Sequence, residues 1–211
     1  MNHEKCGVVD VGGGWRGIYA CGVLDRCMED GVDFDVAIGV SAGSANLASY
    51  TSRQLGRNYR FYTAYGMRPQ YAGFRNLILK HTFIDMDYVY STLSNTDGED
   101  PLDYETFKAS PTSFYAVAAN ADTGEVKYFS EDDIHEDDYD VMKASCAIPG
   151  VCHPYLVDGE WYFDGALGDP VPAQKALDLG CQKVVLILTR PVDQIREVGS
   201  DQTLAKLIQR K

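Results

Sequence analysis

The chain has 211 residues, 45% hydrophobic and 24% charged, which suits one sizeable α/β core and is too short for two. Thirty-one acidic side chains against nineteen basic ones leave a net charge of −12. That balance argues against nucleic acid as a partner and against electrostatic capture by anionic membranes, so any transient membrane-surface contact has to rest on apolar groups.

The opening Met-Asn-His-Glu-Lys lacks the basic-then-apolar order of a signal peptide, and no apolar run approaches the ~20 residues that span a bilayer. No transmembrane segment is expected. Six scattered cysteines (Cys6, Cys21, Cys27, Cys146, Cys152, Cys181) form no C-x-x-C pair, and most stand in apolar contexts. A reducing, cytoplasmic compartment is the expectation.

In chain order, Cys6 to Val11 is a predicted strand, followed at once by the glycine-rich stretch Gly12 to Gly17. A helix is predicted from Ile18 to Asp30, with Ile18, Cys21, Leu24 and Met28 near helical spacing and Gly31 placed to stop it. Val36 to Val40 is a second apolar strand, Ser41 follows, and the small residues Ala42 to Tyr50 make a second helix. This strand–helix alternation predicts a three-layer α/β/α fold with a mostly parallel central sheet. From Arg57 to Leu93 aromatic residues crowd a segment with no clean period, readable as core helices with loops or as a lid or acyl-chain wall.

Phe114 to Ala119 is a predicted strand that turns through Asn120–Gly124 into another at Val126 to Phe129. The acidic run Glu131 to Asp140 lacks the alternating oxygen ligands and central glycine of a calcium loop and is expected to be a solvated helix start. A short helix over Val141–Ala147 ends before Pro149-Gly150, and a hairpin at Asp158-Gly159 delivers Trp161-Tyr162-Phe163 to Asp164. Pro172 to Leu179 is a helix stopped by Gly180, and Val184 to Leu188 has the unbroken apolar run of a strand buried on both faces. The tail from Gln202 to Lys211 is weakly helical.

Gly39-Val40-Ser41-Ala42-Gly43 is a G-x-S-x-G between a strand and a helix, the context of a nucleophile elbow. Gly39 and Gly43 remove side chains that would clash with a sharp turn, and the helix start aims its amides where an oxyanion develops. Gly12 to Gly17 matches G-x-G-x-x-G, readable as an oxyanion loop or as a dinucleotide fingerprint with Asp33 or Asp35 as the ribose acid. Both acids lie at the start of their strand, whereas the fingerprint needs one at its end. Arg16 orients that loop or is simply solvated. For a base, His3, His81 and His135 lack triad-like surroundings and His153 sits in a loop. Asp164, at a strand end before Gly165-Ala166, can serve as base or merely open a turn.

The ordered set Gly12-Gly13-Gly14-x-Arg16-Gly17, Gly39-x-Ser41-x-Gly43 and Asp164-Gly165-Ala166 resembles the patatin-like phospholipase family, over about residues 7 to 191. Thr123-Gly124-Glu125, Ala144 to Gly150 and Leu188-Thr189-Arg190-Pro191 are similar to bacterial members. The resemblance implies a single acyl hydrolase domain over 1–211 acting on lipid or other acyl esters, with no metal and no cofactor. It implies Ser41 as nucleophile, Asp164 as general base and Gly12, Gly13 and Gly14 as the oxyanion hole, with Arg16, Gly17, Gly39, Gly43 and Gly165 supporting the motifs. Two departures stand out: Val11 occupies the place of the aspartate that starts many members' glycine run, and only about 20 residues follow the last strand, short of the C-terminal helices many members carry. The rival readings are a short-chain esterase or thioesterase on the same dyad, a nucleotide-binding α/β protein, and a catalytically silent lipid-binding module.

Overall fold

A computed structural model of the chain describes residues 4–191, 193 and 194. His3 and the helical tail expected over 202–211 lie outside the described residues. Strands β1 (Cys6–Asp10), β2 (Val36–Val40), β3 (Ser113–Asn120), β4 (Val126–Ser130), β5 (Tyr155–Val157), β6 (Glu160–Asp164) and β7 (Lys183–Ile187) form one sheet. β7, β1, β2 and β3 lie side by side and parallel, while β4 and β6 run antiparallel to β3, and β5 antiparallel to β6. The β5–β6 hairpin turns on Asp158 and Gly159, at φ 51 and φ 83, the double left-handed conformation that a two-residue hairpin requires.

Three strands share the two edges of β3, and this sharing builds the site. β4 occupies one edge, from Tyr115 to Ala119. On the other edge, β2 pairs as far as Val40 opposite Val117, and β6 takes over with Asp164 opposite Ala118. The carboxyl ends of β2 and β6 therefore meet end to end, which brings together Ser41 and Asp164, 123 residues apart in sequence.

The helices are α1 (Ile18–Glu29), α2 (Ala42–Thr51), α3 (Arg57–Arg60), α4 (Phe74–Lys80), α5 (Tyr104–Ala109), α6 (Asp140–Cys146) and α7 (Ala173–Asp178). On one face, Val8, Ala37, Phe114 and Ala116 pack against Leu24 of α1, Leu47 of α2, Phe107 of α5 and Met142 of α6. On the other, Val9, Ile38, Val40 and Val117 pack against Ala176 of α7. All five residues of β2 are buried, as a central strand covered on both faces demands. β7 departs from that expectation. Among the described residues it is the edge strand, paired with β1, and Val185, Leu186 and the following Leu188 are 41%, 41% and 40% exposed with no second strand beside them.

The acidic run begins as expected with a capped turn, in which Ser130 and Asp133 bond each other's backbone amides, and Asp140 starts α6. The aromatic segment contributes both to the core and to the wall of a cavity. α3 continues into a π-helical turn at Phe61–Tyr65, a second π-helical turn spans Tyr88–Thr92, and Tyr65, Val89 and Tyr90 are buried in the core. The same two turns also wall a cavity, a frequent role for this rare backbone form. Among the described residues no helix is long and apolar enough to cross a membrane.

Candidate active site

Ser41 joins β2 to α2 at φ 56 and ψ −133, a backbone conformation that side-chain-bearing residues rarely adopt. Close packing holds it there. A Cβ on Gly39 would fall 2.3 Å from Ser44 Cα, and one on Gly43 would fall 2.2 Å from the Asp10 carbonyl oxygen, so the turn closes only with glycine at both places. Two hydroxyls lock the turn. Ser44 Oγ donates to Ser41 O at 2.7 Å, and the Ser41 N–H donates to Ser145 Oγ on α6 at 3.1 Å.

At the other strand end stands Asp164, only 4% exposed, with Ser41 at 6%. Ser41 Oγ donates to Asp164 Oδ2 at 2.6 Å. The carboxylate is aimed by its own backbone: the Ala166 N–H donates to Oδ1 at 2.9 Å, and the Asp164 N–H donates to Ala147 O at 2.9 Å. Gly165 lies directly on the Val117 carbonyl, which keeps β6 tight against β3. A short, water-poor serine–carboxylate hydrogen bond of this kind is the arrangement in which a carboxylate can accept a hydroxyl proton.

The loop beside Ser41 takes three consecutive left-handed residues, Gly12, Gly13 and Gly14, at φ 63, 115 and 58. Its three N–H groups are not equivalent. The Gly12 N–H donates to Asp10 Oδ1 at 2.9 Å, whereas neither the Gly13 nor the Gly14 N–H is bonded to another group among the described residues. The Gly12 carbonyl is held as well, accepting from Thr189 Oγ1 at 2.5 Å. Arg16 is exposed, and its Nη2 sits where a Gly13 Cβ would meet it at 3.0 Å, so it lies over the loop. Gly17 abuts the Tyr62 hydroxyl.

Behind this loop is a buried polar chain that sequence patterns did not expose. Tyr62 donates its hydroxyl to Asn46 Oδ1 at 3.2 Å, and Asn46 Nδ2 donates to Asp10 Oδ2 at 2.9 Å and to Gly17 O at 3.2 Å. Both oxygens of Asp10 therefore receive donors, the pattern of an ionised carboxylate. Burial nonetheless pushes its pKa up to about 6, more than the Asn46 and Gly12 donors lower it. The sequence signals were slight: an acid ending an otherwise apolar strand, and an asparagine within a small-residue helix.

A cavity of about 90 Å³ opens over Ser41, Gly14 and Asn46, walled by Tyr62, Tyr71, Met86 and Tyr90 among others. Cys146 also lines it, but burial pushes that thiol up to about 12, so it stays protonated and is a poor nucleophile. Among the described residues no histidine is hydrogen-bonded to Ser41. His153 is exposed and packs edge-on to Tyr155, His81 ends α4, and His135 is exposed beside Asp138. The acids of the nucleotide reading are engaged at the wrong strand end: Asp35 accepts from the Cys6 N–H before β2 begins, and Asp33 pairs with Arg53.

The sequence model of the family described as patatin-like phospholipase matches residues 11–177. The chain belongs to the patatin-like phospholipase family. It is 30% identical to the "Uncharacterized protein YjjU" of Escherichia coli (strain K12) over 192 residues, 89% of this chain and 52% of that protein. It is also 25% identical to "Lysophospholipase nte1" of Aspergillus terreus, over 96% of this chain and 13% of that protein. "Lysophospholipase NTE1" of Candida albicans is 25% identical over 97% of this chain and 14% of its own length. The chain thus spans about half of the bacterial relative and a small part of the fungal ones. Among solved structures, VipD from Legionella pneumophila aligns with a TM-score of 0.49 and 17% identity, over 79% of this chain and 47% of that one. The family match begins at Val11, so the departure at that position lies inside the family's own range.

Proposed function

We propose that this patatin-like chain is a serine lipid acyl hydrolase working through a Ser41–Asp164 dyad. One observation carries the reading: the 2.6 Å bond between two buried side chains at the floor of an apolar-walled cavity. Asp164 accepts the hydroxyl proton as Ser41 Oγ attacks the ester carbonyl. Gly13 and Gly14, with unclaimed N–H groups, hold the oxyanion, while Gly12 serves as the anchored link of the loop. As the intermediate collapses, Asp164 returns the proton to the departing alcohol or lysolipid, leaving acyl-Ser41. Water then gives a proton to Asp164 and its hydroxide to the acyl carbon, and Ser41 regains the proton as the fatty acid leaves.

Ser41→Ala and Asp164→Asn are each expected to abolish p-nitrophenyl ester hydrolysis with the fold retained, and a fluorophosphonate probe should label the wild type at Ser41. Full turnover in Asp164→Asn would remove the dyad. The cavity favours a second reading of the same chemistry, since about 90 Å³ is smaller than the ~150 Å³ that holds a benzene ring. On that reading short acyl esters or thioesters are the preferred substrates, and a rate profile over acyl chain length decides between the two.

A further inference from the structure

Helix α4 is built inside out. Its buried side chain is Asn76, whose Nδ2 donates to Gln70 O at 2.9 Å, while Phe74, Leu77, Ile78 and Leu79 are 77%, 43%, 74% and 64% exposed. A helix whose only other medium is water places these residues the other way round. The apolar surface runs on toward the cavity. Met67 is 73% exposed, and Trp15, 45% exposed, stands edge-on to Tyr62 and Tyr71, at centroid distances of 6.3 and 5.8 Å. Those two tyrosines wall the space over Ser41, so Trp15 carries apolar surface from the exterior onto the cavity lining.

The charge of this region also differs from that of the chain. Residues 36–84 contain no aspartate or glutamate, although the chain has thirty-one, and they carry six of its arginines and lysines. Arg68 pairs with Glu99 and Lys80 with Asp85, whereas Arg75 makes no ion pair among the described residues. The acids that meet this stretch, Asp33, Asp85, Glu99 and Asp100, come from outside it and are each paired with one of its cations, which leaves Arg75 on α4 as a cation without an acidic partner among the described residues.

We propose that α4, with Met67 and Trp15, is the face that seats this protein on a phospholipid bilayer, bringing the cavity over Ser41 to the lipid. The proposal deepens the lipid-hydrolase reading and rests on it for its purpose, though not for its geometry. Exposed Phe, Ile and Leu side chains on a helix flanked by Arg75 and Lys80 match the interfacial region of a bilayer, where acyl carbon lies just below phosphate. An ester entering from that phase passes from lipid to the Trp15, Tyr62 and Tyr71 rings without crossing water.

The test is flotation of the full chain with vesicles of phosphatidylcholine, alone or mixed with phosphatidylglycerol, run beside hydrolysis of a soluble short-chain p-nitrophenyl ester. Wild type should float with both and more strongly with the anionic mixture. The double variant Phe74→Ser/Ile78→Ser should bind at least about a hundredfold more weakly, as expected for two apolar side chains removed from the membrane. Its soluble-ester rate and circular dichroism should be unchanged. Arg75→Glu should remove most of the preference for phosphatidylglycerol, and it provides a second probe should the double variant misfold. Unaltered binding by both variants overturns the proposal, as does a wild-type dimer that the double variant converts to monomer while vesicle binding persists. Variant-sensitive flotation of a wild type that never cleaves the soluble ester would overturn the hydrolase reading and leave the docking face standing.

Discussion

Asp10 is a carboxylate with no exposed surface at the base of the glycine loop, and its burial sets a measurable pH dependence of stability. Its pKa rises from 3.8 to about 6 on folding. Between those values the native state binds the proton that the unfolded state has released, so stability falls as pH rises through the window and is flat above it. At about 1.4 kcal/mol per pKa unit, the loss from this one side chain is about 3 kcal/mol. Cys21 and Tyr62, the other titratable groups near it, are pushed up to about 12 and well above 10 respectively, so they stay protonated throughout. Asp10→Asn cannot titrate. Urea unfolding at about pH 4 and about pH 7, followed by tryptophan fluorescence, should show the variant gaining about 2.5 kcal/mol on wild type between the two. The comparison of differences cancels every other titrating group. A variant that tracks wild type within about 0.5 kcal/mol across the window would refute the assignment of a buried, proton-shifted Asp10.

Two further outcomes test the site's scaffold. Thr189→Val removes the hydroxyl that grips the Gly12 carbonyl, and ester hydrolysis should lose about tenfold in kcat with KM little changed, because the role proposed for the loop is to hold the oxyanion rather than the bound ester. An equal rise in KM would assign Thr189 to substrate binding instead. Gly39→Ala places a Cβ 2.3 Å from Ser44 Cα, where only backbone can yield. Its thermal midpoint should fall by an amount equivalent to about 2 kcal/mol or more, and an unchanged midpoint would contradict the packing of the elbow.

Much of this protein was legible from local pattern. The apolar run Val36–Val40 read as a strand, Gly39 and Gly43 around Ser41 marked a turn too tight for side chains, and Asp158-Gly159 marked a hairpin, because each depends on residues a few positions apart. The similar run Val184–Leu188 stands at the sheet edge among the described residues, since hydrophobicity reports what a strand can bury and not where in the sheet it lies. What tertiary structure alone decided is the meeting of distant parts. The 2.6 Å approach of Ser41 to Asp164 depends on β2 and β6 dividing one edge of β3 between Val117 and Ala118, a register that no local window contains. The division of labour within the glycine loop likewise depends on Asp10 and Thr189, from opposite ends of the chain, closing on the N–H and the carbonyl of Gly12. Hydrogen bonds reach about 3 Å whatever the sequence separation, so only the folded chain could show which of three identical glycines keeps its N–H free.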